Sequence, residues 1–332
     1  MKVVIVGSGM AGVGLAEELR RQAPDAEVAL VTRDTLGFYS RPSLSHSFSD
    51  DEKVRRIVIK MFSALGTGIE VRAGAEALSI SRPARQLEVA DADGRREQLA
   101  YDHLVLATGS EAVVPPAWSG GREHFFVLNR LEDMQAMRAL RERVATAGLP
   151  AIHWAIVGGG LIGLELASDL RKAGDAVSVY HAGDQLMERT LDVETSKRML
   201  VHLRGQGIEV LLNQRVDGFA PAADGAVTVT AAGGSRTFGA AVVAIGFRPR
   251  TDLAAAAGLV VRRGIVCDRC FATEDSAIRA VGDAAEVDGT LYPFVVPIVS
   301  QAKHLALLLS GKNDAEWTAP SFPIRVKIHG FR

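Results

Sequence analysis

The chain has 332 residues, 48% of them apolar and 23% charged, with 38 Lys plus Arg against 39 Asp plus Glu and a formal net charge of −1. That length suffices for two ordinary domains with separate cores, and the balanced charge gives no electrostatic case for nucleic acid or an anionic membrane as partner. No apolar stretch approaches a membrane span, and Met1-Lys2 runs straight into an apolar strand with no leader and cleavage pattern, so a cytoplasmic location is expected.

Residues 3–20, VVIVGSGMAGVGLAEELR, predict a strand, a G-x-G-x-x-G loop and a helix that ends near Gln22, before Pro24. In that context Gly7 allows the tight turn, Gly9 lets the backbone approach a pyrophosphate, and Gly12 lets helix and strand pack. Met10 and Ala11 open the helix, whose N-terminus offers unpaired N–H groups and a favourable dipole to phosphate. Val28–Val31 predict the second strand. Asp34 follows about twenty residues beyond the loop, where an acid can hydrogen-bond a ribose. The run KVRRIVIK (53–60) reads as a cationic helix face, either solvated or docking an acidic redox partner.

Residues 69–106 are β-rich, with a hairpin turn at Asp93-Gly94. LVLATGS (104–110) predicts a buried strand whose end, Thr108-Gly109, lies where open α/β sheets bind ligands. Pro115-Pro116 suggests a domain boundary. After a helical lead-in over 122–150, residues 154–171, WAIVGGGLIGLELASDLR, repeat the first cassette without a gap. Gly7, Gly9 and Gly12 recur as Gly158, Gly160 and Gly163, with Leu161 and Ile162 opening the second helix. Two such cassettes imply two dinucleotides, and electron transfer between them is the obvious reason to hold both. Gly14 of the first copy is replaced by Glu165 in the second, as if the first were cleared for a bulky permanent cofactor.

The second cassette continues to the strand AVSVY (176–180) and then His181, with no acid at the strand end. A terminal Asp or Glu would favour NADH and a nearby Arg NADPH, so these residues leave the choice open. Residues 208–244 repeat the β-rich excursion and end in VVAIGFRPR, whose Gly246 mirrors Gly109. Then come a short strand, Ile278–Val281, ending at Gly282-Asp283, a helix from Pro297 to Gly311, and a final stretch with a strand-like run, PIRVKI. The two cysteines, Cys267 and Cys270, lie on an extended segment where positions i and i+3 point to opposite faces, which disfavours a disulfide. No second Cys/His pair stands at ligand spacing, so no metal site is expected.

Five motifs in order carry a resemblance: G-x-G-x-x-G, Y-S-R-P-S-L-S (39–45), A-T-G (107–109), G-G-G-x-I-G-x-E (158–165) and T-x-x-x-x-I-x-A-x-G-D (273–283). In that order they resemble the FAD-dependent pyridine nucleotide-disulfide oxidoreductases of the glutathione-reductase superfamily. FYSRPSLSHSFS and GFRPRTDLAAAAGLVVRRGIVCDR most resemble the rubredoxin-NAD(+) reductase branch. The resemblance implies an α/β fold of two Rossmann-like domains, with the NAD domain inserted in the FAD domain. The FAD domain would comprise residues 1–114 and 246–311 and the NAD(P) domain 115–245. Residues 312–332 would be the remnant of a truncated C-terminal interface domain, leaving one flavin face open or covered by a partner subunit.

The same resemblance puts FAD on the first cassette and NADH, with NADPH as the alternative, on the second. Arg41, with Pro42, would lie beside the flavin as a fixed cation, and Glu165 would lie near the nicotinamide and pair with Arg41. Asp283 would hold the ribityl chain, the backbone at Ala77 the adenine, and the helix start at Val296 the pyrimidine end of the flavin. His46 stands where related reductases carry Lys. No Cys occurs in 35–60, which argues against disulfide chemistry and for an external acceptor. The implied reaction takes hydride from NAD(P)H to FAD and passes single electrons to rubredoxin or a similar carrier. The alternatives are a ferredoxin reductase of an oxygenase or P450 system, an NADH oxidase, and a non-catalytic flavin-binding subunit.

Overall fold

A computed structural model describes residues 1–323 and 326–331. The first cassette forms β1 (Lys2–Val6), α1 (Met10–Gln22) and β2 (Glu27–Thr32), followed by β3 (Ile69–Ala73) and β4 (His103–Leu106). Next come β5 (Phe126–Val127) and α2 (Leu131–Thr146), then the second cassette as β6 (His153–Val157), α3 (Leu161–Lys172) and β7 (Ala176–Tyr180). Helix α4 (Val193–Gly205), β8 (Glu209–Leu211), β9 (Ala240–Val243), β10 (Ile278–Ala280) and α5 (Val295–Leu309) complete the main elements.

These elements form two compact units. One comprises Met1–Ser40, Val58–Glu111 and Arg248–Phe322; the other comprises Arg41–Ile57, Ala112–Phe247 and Pro323–Arg332. The first unit is built on a parallel sheet of order β10-β4-β1-β2-β3. Strands buried on both faces must be apolar throughout. Ile5, Leu30, Leu104 and Leu106 accordingly have no exposed surface, and Leu15 and Leu19 of α1 and Leu305 of α5 close over the same core. Trp317 is buried in this core too, edge-on to Tyr292. An antiparallel excursion over Glu76–Ser81, Gln86–Ala90 and Arg96–Ala100 extends the unit.

The second unit repeats the plan with a parallel sheet of order β5-β9-β6-β7-β8 and an antiparallel excursion over Val216–Pro221, Val227–Ala231 and Gly234–Phe238. Trp154, Ile156, Leu164, Leu166, Leu170 and Val179 are fully buried in it. In both units the cassette strand is central, so its glycine loop leaves from the carboxyl end of the sheet, where α/β folds bind ligands.

Two sequence expectations change, and a third lies partly outside the described residues. The run KVRRIVIK is not one helix. Asp51–Arg55 forms a short helix capped by Asp50, and Val58–Met61 is a strand antiparallel to Gly37–Tyr39. Ile57, Val58 and Ile59 are β-branched and favour the extended form, so Lys60 is separated from Lys53, Arg55 and Arg56 and no four-cation helix face exists. Helix α5 starts two residues before Pro297, whose missing N–H falls in the first turn, where no intrahelical partner is needed. The run PIRVKI lies partly outside the described residues, at 324 and 325, and Val326–Ile328 carries no regular secondary structure.

Candidate functional site

The two glycine loops have matching geometry. Gly7 and Gly158 adopt φ of +111° and +124°. A Cβ at either would lie 2.2 Å from a strand-end carbonyl, Ala107 O or Ala244 O, so no side chain fits. A Cβ at Gly12 would lie 1.8 Å from Gly7 O, and one at Gly163 2.1 Å from Gly158 O, which closes the helix onto its own loop. Gly9 and Gly160 differ from these: a Cβ on either meets nothing within 4 Å. They are the N-cap residues of α1 and α3, neither helix has a side-chain cap there, and neither has an acid in its first turn. The first-turn N–H groups, at Met10 and Ala11 and at Leu161 and Ile162, therefore keep their donors and the positive helix end for an anion.

In the first unit three polar side chains lock the loop to the end of β2. Asp34 N–H donates to Thr32 Oγ1 at 3.1 Å, and Ser8 Oγ donates to Asp34 Oδ2 at 2.7 Å. Ser8 and Thr32 hydroxyls are 2.7 Å apart, and because the Ser8 proton is committed to the carboxylate, Thr32 is the donor of that pair. This ring brings Asp34 to the glycine loop and fixes its orientation. At the neighbouring strand ends Thr108 Oγ1 donates to Arg250 O at 2.7 Å, Arg250 N–H donates to Gly109 O at 2.9 Å, and Ser110 Oγ donates to Asp283 Oδ2 at 2.7 Å. Gly282 packs against Ala11, and its N–H donates to Oε1 of the buried Gln301 of α5 at 2.8 Å. So Asp34, Thr108, Gly109 and Asp283 all sit at carboxyl ends of the first sheet. Val296 is exposed in the first turn of α5, a helix without a side-chain N-cap. Ala77 is half-buried on the antiparallel excursion, opposite Val89. Gly14 faces Ala302 of α5, and a Cβ there would lie 3.5 Å from Ala302 Cβ, an ordinary contact.

In the second unit Gly159 N–H donates to His181 Nδ1 at 3.2 Å, and His181 Nε2 donates to Gln185 O at 2.8 Å. Gly246 lies three residues past the end of β9 with φ +128°, and its carbonyl accepts from Val113 N–H at 2.9 Å. Glu165 is buried in the second turn of α3, past the reach of a first-turn dipole role. Ser45 Oγ donates to its Oε2 at 3.1 Å and Lys327 N–H to its Oε1 at 2.9 Å. His46 Nε2 stands 3.1 Å from Oε2, at ion-pair distance but outside hydrogen-bond geometry.

Arg41, the expected partner, is not among the contacts of Glu165. Its Nη1 donates to Asn129 O at 3.4 Å, because the 3-10 turn Arg41–His46 presents Ser45 and His46 to α3. One helical turn on, Asp169 accepts from Phe48 N–H, Ser49 N–H, Ser49 Oγ and His329 Nε2 at 2.5–3.2 Å. Burial alone would raise this carboxyl's pKa, but the hydrogen bonds outweigh it and hold it below the usual carboxylate range. Arg138 and Arg141 of α2 donate to Ser47 O and Phe48 O, completing a clamp on residues 45–49.

Sequence reasoning missed Ser8, Thr32, Ser110, Gln301 and Asp169. Ser8 is the free position of G-x-G, and Asp169 stands four residues after Glu165, so both carried a weak signal. Both thiols are free. Burial pushes Cys267 up to about 12, and its Sγ lies against the carbonyls of Ala280 and Glu286, so it is an inert core thiol. Among the described residues no cluster could hold a metal ion, and no helix is long and apolar enough to cross a membrane.

The profile of the pyridine nucleotide-disulphide oxidoreductase family matches residues 1–304. The chain belongs to that family. It is an NAD(P)H-dependent flavoprotein reductase, and FAD and NAD(P)H are its cofactors. The open, uncapped helix starts at Gly9 and Gly160 fit two dinucleotide pyrophosphates. A relative from Vibrio vulnificus, named nitric oxide reductase FlRd-NAD(+) reductase, is 33% identical over 331 residues, covering 99% of this chain and 83% of its own. The covalent putidaredoxin reductase–putidaredoxin complex matches with a TM-score of 0.86 at 29% identity, covering 98% of this chain and 79% of that one. A ferredoxin reductase from Rhodopseudomonas palustris matches with a TM-score of 0.86 at 27% identity, covering 96% and 78%. The family's name includes disulphides, but the two free cysteines of this member lie far along the chain from the segment beside Arg41.

Proposed function

We propose that the first unit holds FAD, that the second holds NAD(P)H, and that electrons pass from the nicotinamide to a small one-electron carrier of the rubredoxin type. The observation that carries this reading is the duplicated loop, one copy per unit, each with an open N-cap glycine at an uncapped helix start. The names of the Vibrio vulnificus relative and of the putidaredoxin complex support a protein carrier as acceptor. A cytoplasmic setting suits a reductase drawing on the cell's nicotinamide pool.

FAD, when bound, supplies the link between two-electron hydride donation and one-electron delivery. In the first unit Gly7, Gly9, Met10, Ala11 and Gly12 bind its pyrophosphate and Asp34 its adenosine ribose. Asp283, held by Ser110, orients the ribityl chain. The backbone at Ala77 meets the adenine, and that at Thr108-Gly109 lines the crevice. The exposed α5 start at Val296 lends a positive helix end to the ring. In the second unit Gly158, Gly160, Leu161, Ile162 and Gly163 bind the nicotinamide dinucleotide, with His181 and Gly246 at its edges. Arg41 with Pro42 supplies the cation that favours an electron-rich flavin. Glu165 acts through Ser45 and His46, holding that segment rather than pairing with Arg41.

The test is anaerobic reduction of purified rubredoxin by NADH with catalytic amounts of the protein. Turnover that needs both NADH and the flavoprotein is expected. Reduction of the bound flavin by NADH without onward reduction of rubredoxin, putidaredoxin or a plant-type ferredoxin would overturn the carrier assignment.

A further inference from the structure

His181 occupies the position at the carboxyl end of β7 where an acid normally reads the adenosine ribose. Both its nitrogens are used within the loop, Nδ1 accepting from Gly159 N–H and Nε2 donating to Gln185 O. That pattern fixes a neutral tautomer and leaves His181 no donor for a ribose hydroxyl or a phosphate. Its ring also walls the loop, since a Cβ at Gly159 would lie 2.9 Å from His181 Cγ. A second group therefore has to read the ribose. Glu188 presents its Oε2 3.5 Å from His181 Nε2 and keeps about half its side chain exposed.

The first unit shows the corresponding arrangement. There the strand-end residue Thr32 contacts the loop residue Ser8, and an acid beyond the strand, Asp34, is held beside them. In the second unit the strand-end residue is His181, the loop residue is Gly159, and the acid beside them is Glu188, its Oε2 3.5 Å from His181 Nε2. We infer that Glu188, which lies beside His181 at the strand end, is the residue that selects NADH over NADPH, accepting from the ribose hydroxyls and repelling a 2′-phosphate. The inference rests on the reading that the second unit binds the nicotinamide dinucleotide. Asp184, also exposed on this loop, adds to the same negative field. Arg189 is the one cation of residues 181–190 and is exposed next to Glu188, so it defines the opposing outcome.

The experiment uses the FAD-loaded protein and two readouts. The first is the ratio of kcat/KM for NADH to that for NADPH in flavin reduction. The second, independent of turnover, is binding of AMP and of 2′,5′-ADP measured by calorimetry. Wild type is expected to favour NADH and AMP by about tenfold or more, and Glu188→Gln to narrow both preferences about tenfold by tightening the phosphorylated ligand. Glu188→Asp, which keeps the charge, should retain most of the preference. Arg189→Gln should leave the preference for NADH in place. A wild type that favours NADPH and loses that preference in Arg189→Gln would overturn the inference, as would Glu188→Gln with both ratios unchanged. Flavin that neither nucleotide reduces would instead sink the functional reading, while the AMP and 2′,5′-ADP arm would still decide the role of Glu188.

Discussion

Glu165 and Asp169 lie four residues apart on α3 and so share one face of the helix. Together they accept hydrogen bonds from residues 45–49 and from residues 327–329. The G-x-x-G-x-E pattern pointed to Glu165, but its partners could not be read from sequence, because they lie some 120 positions before it or 160 after it and are set by tertiary packing alone. Asp169 has no exposed surface, so Asp169→Asn removes the acceptor of a buried charged network and should destabilise the protein by about 3 kcal/mol at neutral pH. Its folded pKa lies below the ordinary value near 3.8. Its stabilisation is therefore complete above that value and is lost as pH falls toward the folded one. Urea midpoints measured from pH 7 down to pH 2 should keep a steady gap between wild type and Asp169→Asn above about pH 4 and a narrowing one below it. A constant gap across that range would contradict the assignment. By contrast, Ser8, Thr32 and Asp34 were almost legible. The acid was found from its distance to the loop, while the two hydroxyls that orient it looked like ordinary turn and strand residues.

At the scale of elements, the strand–loop–helix cassettes were legible because two glycines of each, Gly7 and Gly12 in the first and Gly158 and Gly163 in the second, are demanded by backbone contacts of about 2 Å that no other residue tolerates. At Gly14 no close backbone contact excludes a side chain. It faces α5 across a helix–helix contact with Ala302, 288 positions away, a neighbour that periodicity does not reveal. Since a Cβ there makes only ordinary contact with Ala302, Gly14→Ala should be tolerated or should stabilise by up to about 1 kcal/mol through helix propensity. Gly14→Leu should cost about 1–3 kcal/mol by overpacking. Thermal melts of the FAD-loaded variants check both signs, and a Gly14→Leu variant as stable as Gly14→Ala would show that the α1–α5 contact is slack. The Lys53–Lys60 run failed as a helix because three consecutive β-branched residues override its charge pattern. Docking of an acidic carrier therefore cannot rest on that run as a single helix face.

For the whole molecule, the repeat fixes the plan. Each unit centres its cassette strand in a five-stranded parallel sheet and opens one glycine loop at the sheet's carboxyl edge. Fold class and the family were legible because five motifs recur in order over the length of the chain. The grouping of residues 41–57 with the second unit was not, since nothing in that segment's own pattern says which unit will accept its polar contacts. On the proposed function the two loops hold different nucleotides and reducing equivalents flow from the second to the first. A side chain at Gly9 or Gly160 enters open space and should displace ligand without disturbing the backbone. The direct test is an anaerobic NADH titration of the purified variants, following the flavin absorbance. Gly9→Val should be isolated as folded protein without FAD. Gly160→Val should retain FAD at the wild-type stoichiometry, resist reduction by NADH, and still bleach with dithionite. Loss of FAD from Gly160→Val, or bleaching by NADH at the wild-type rate, would contradict the account.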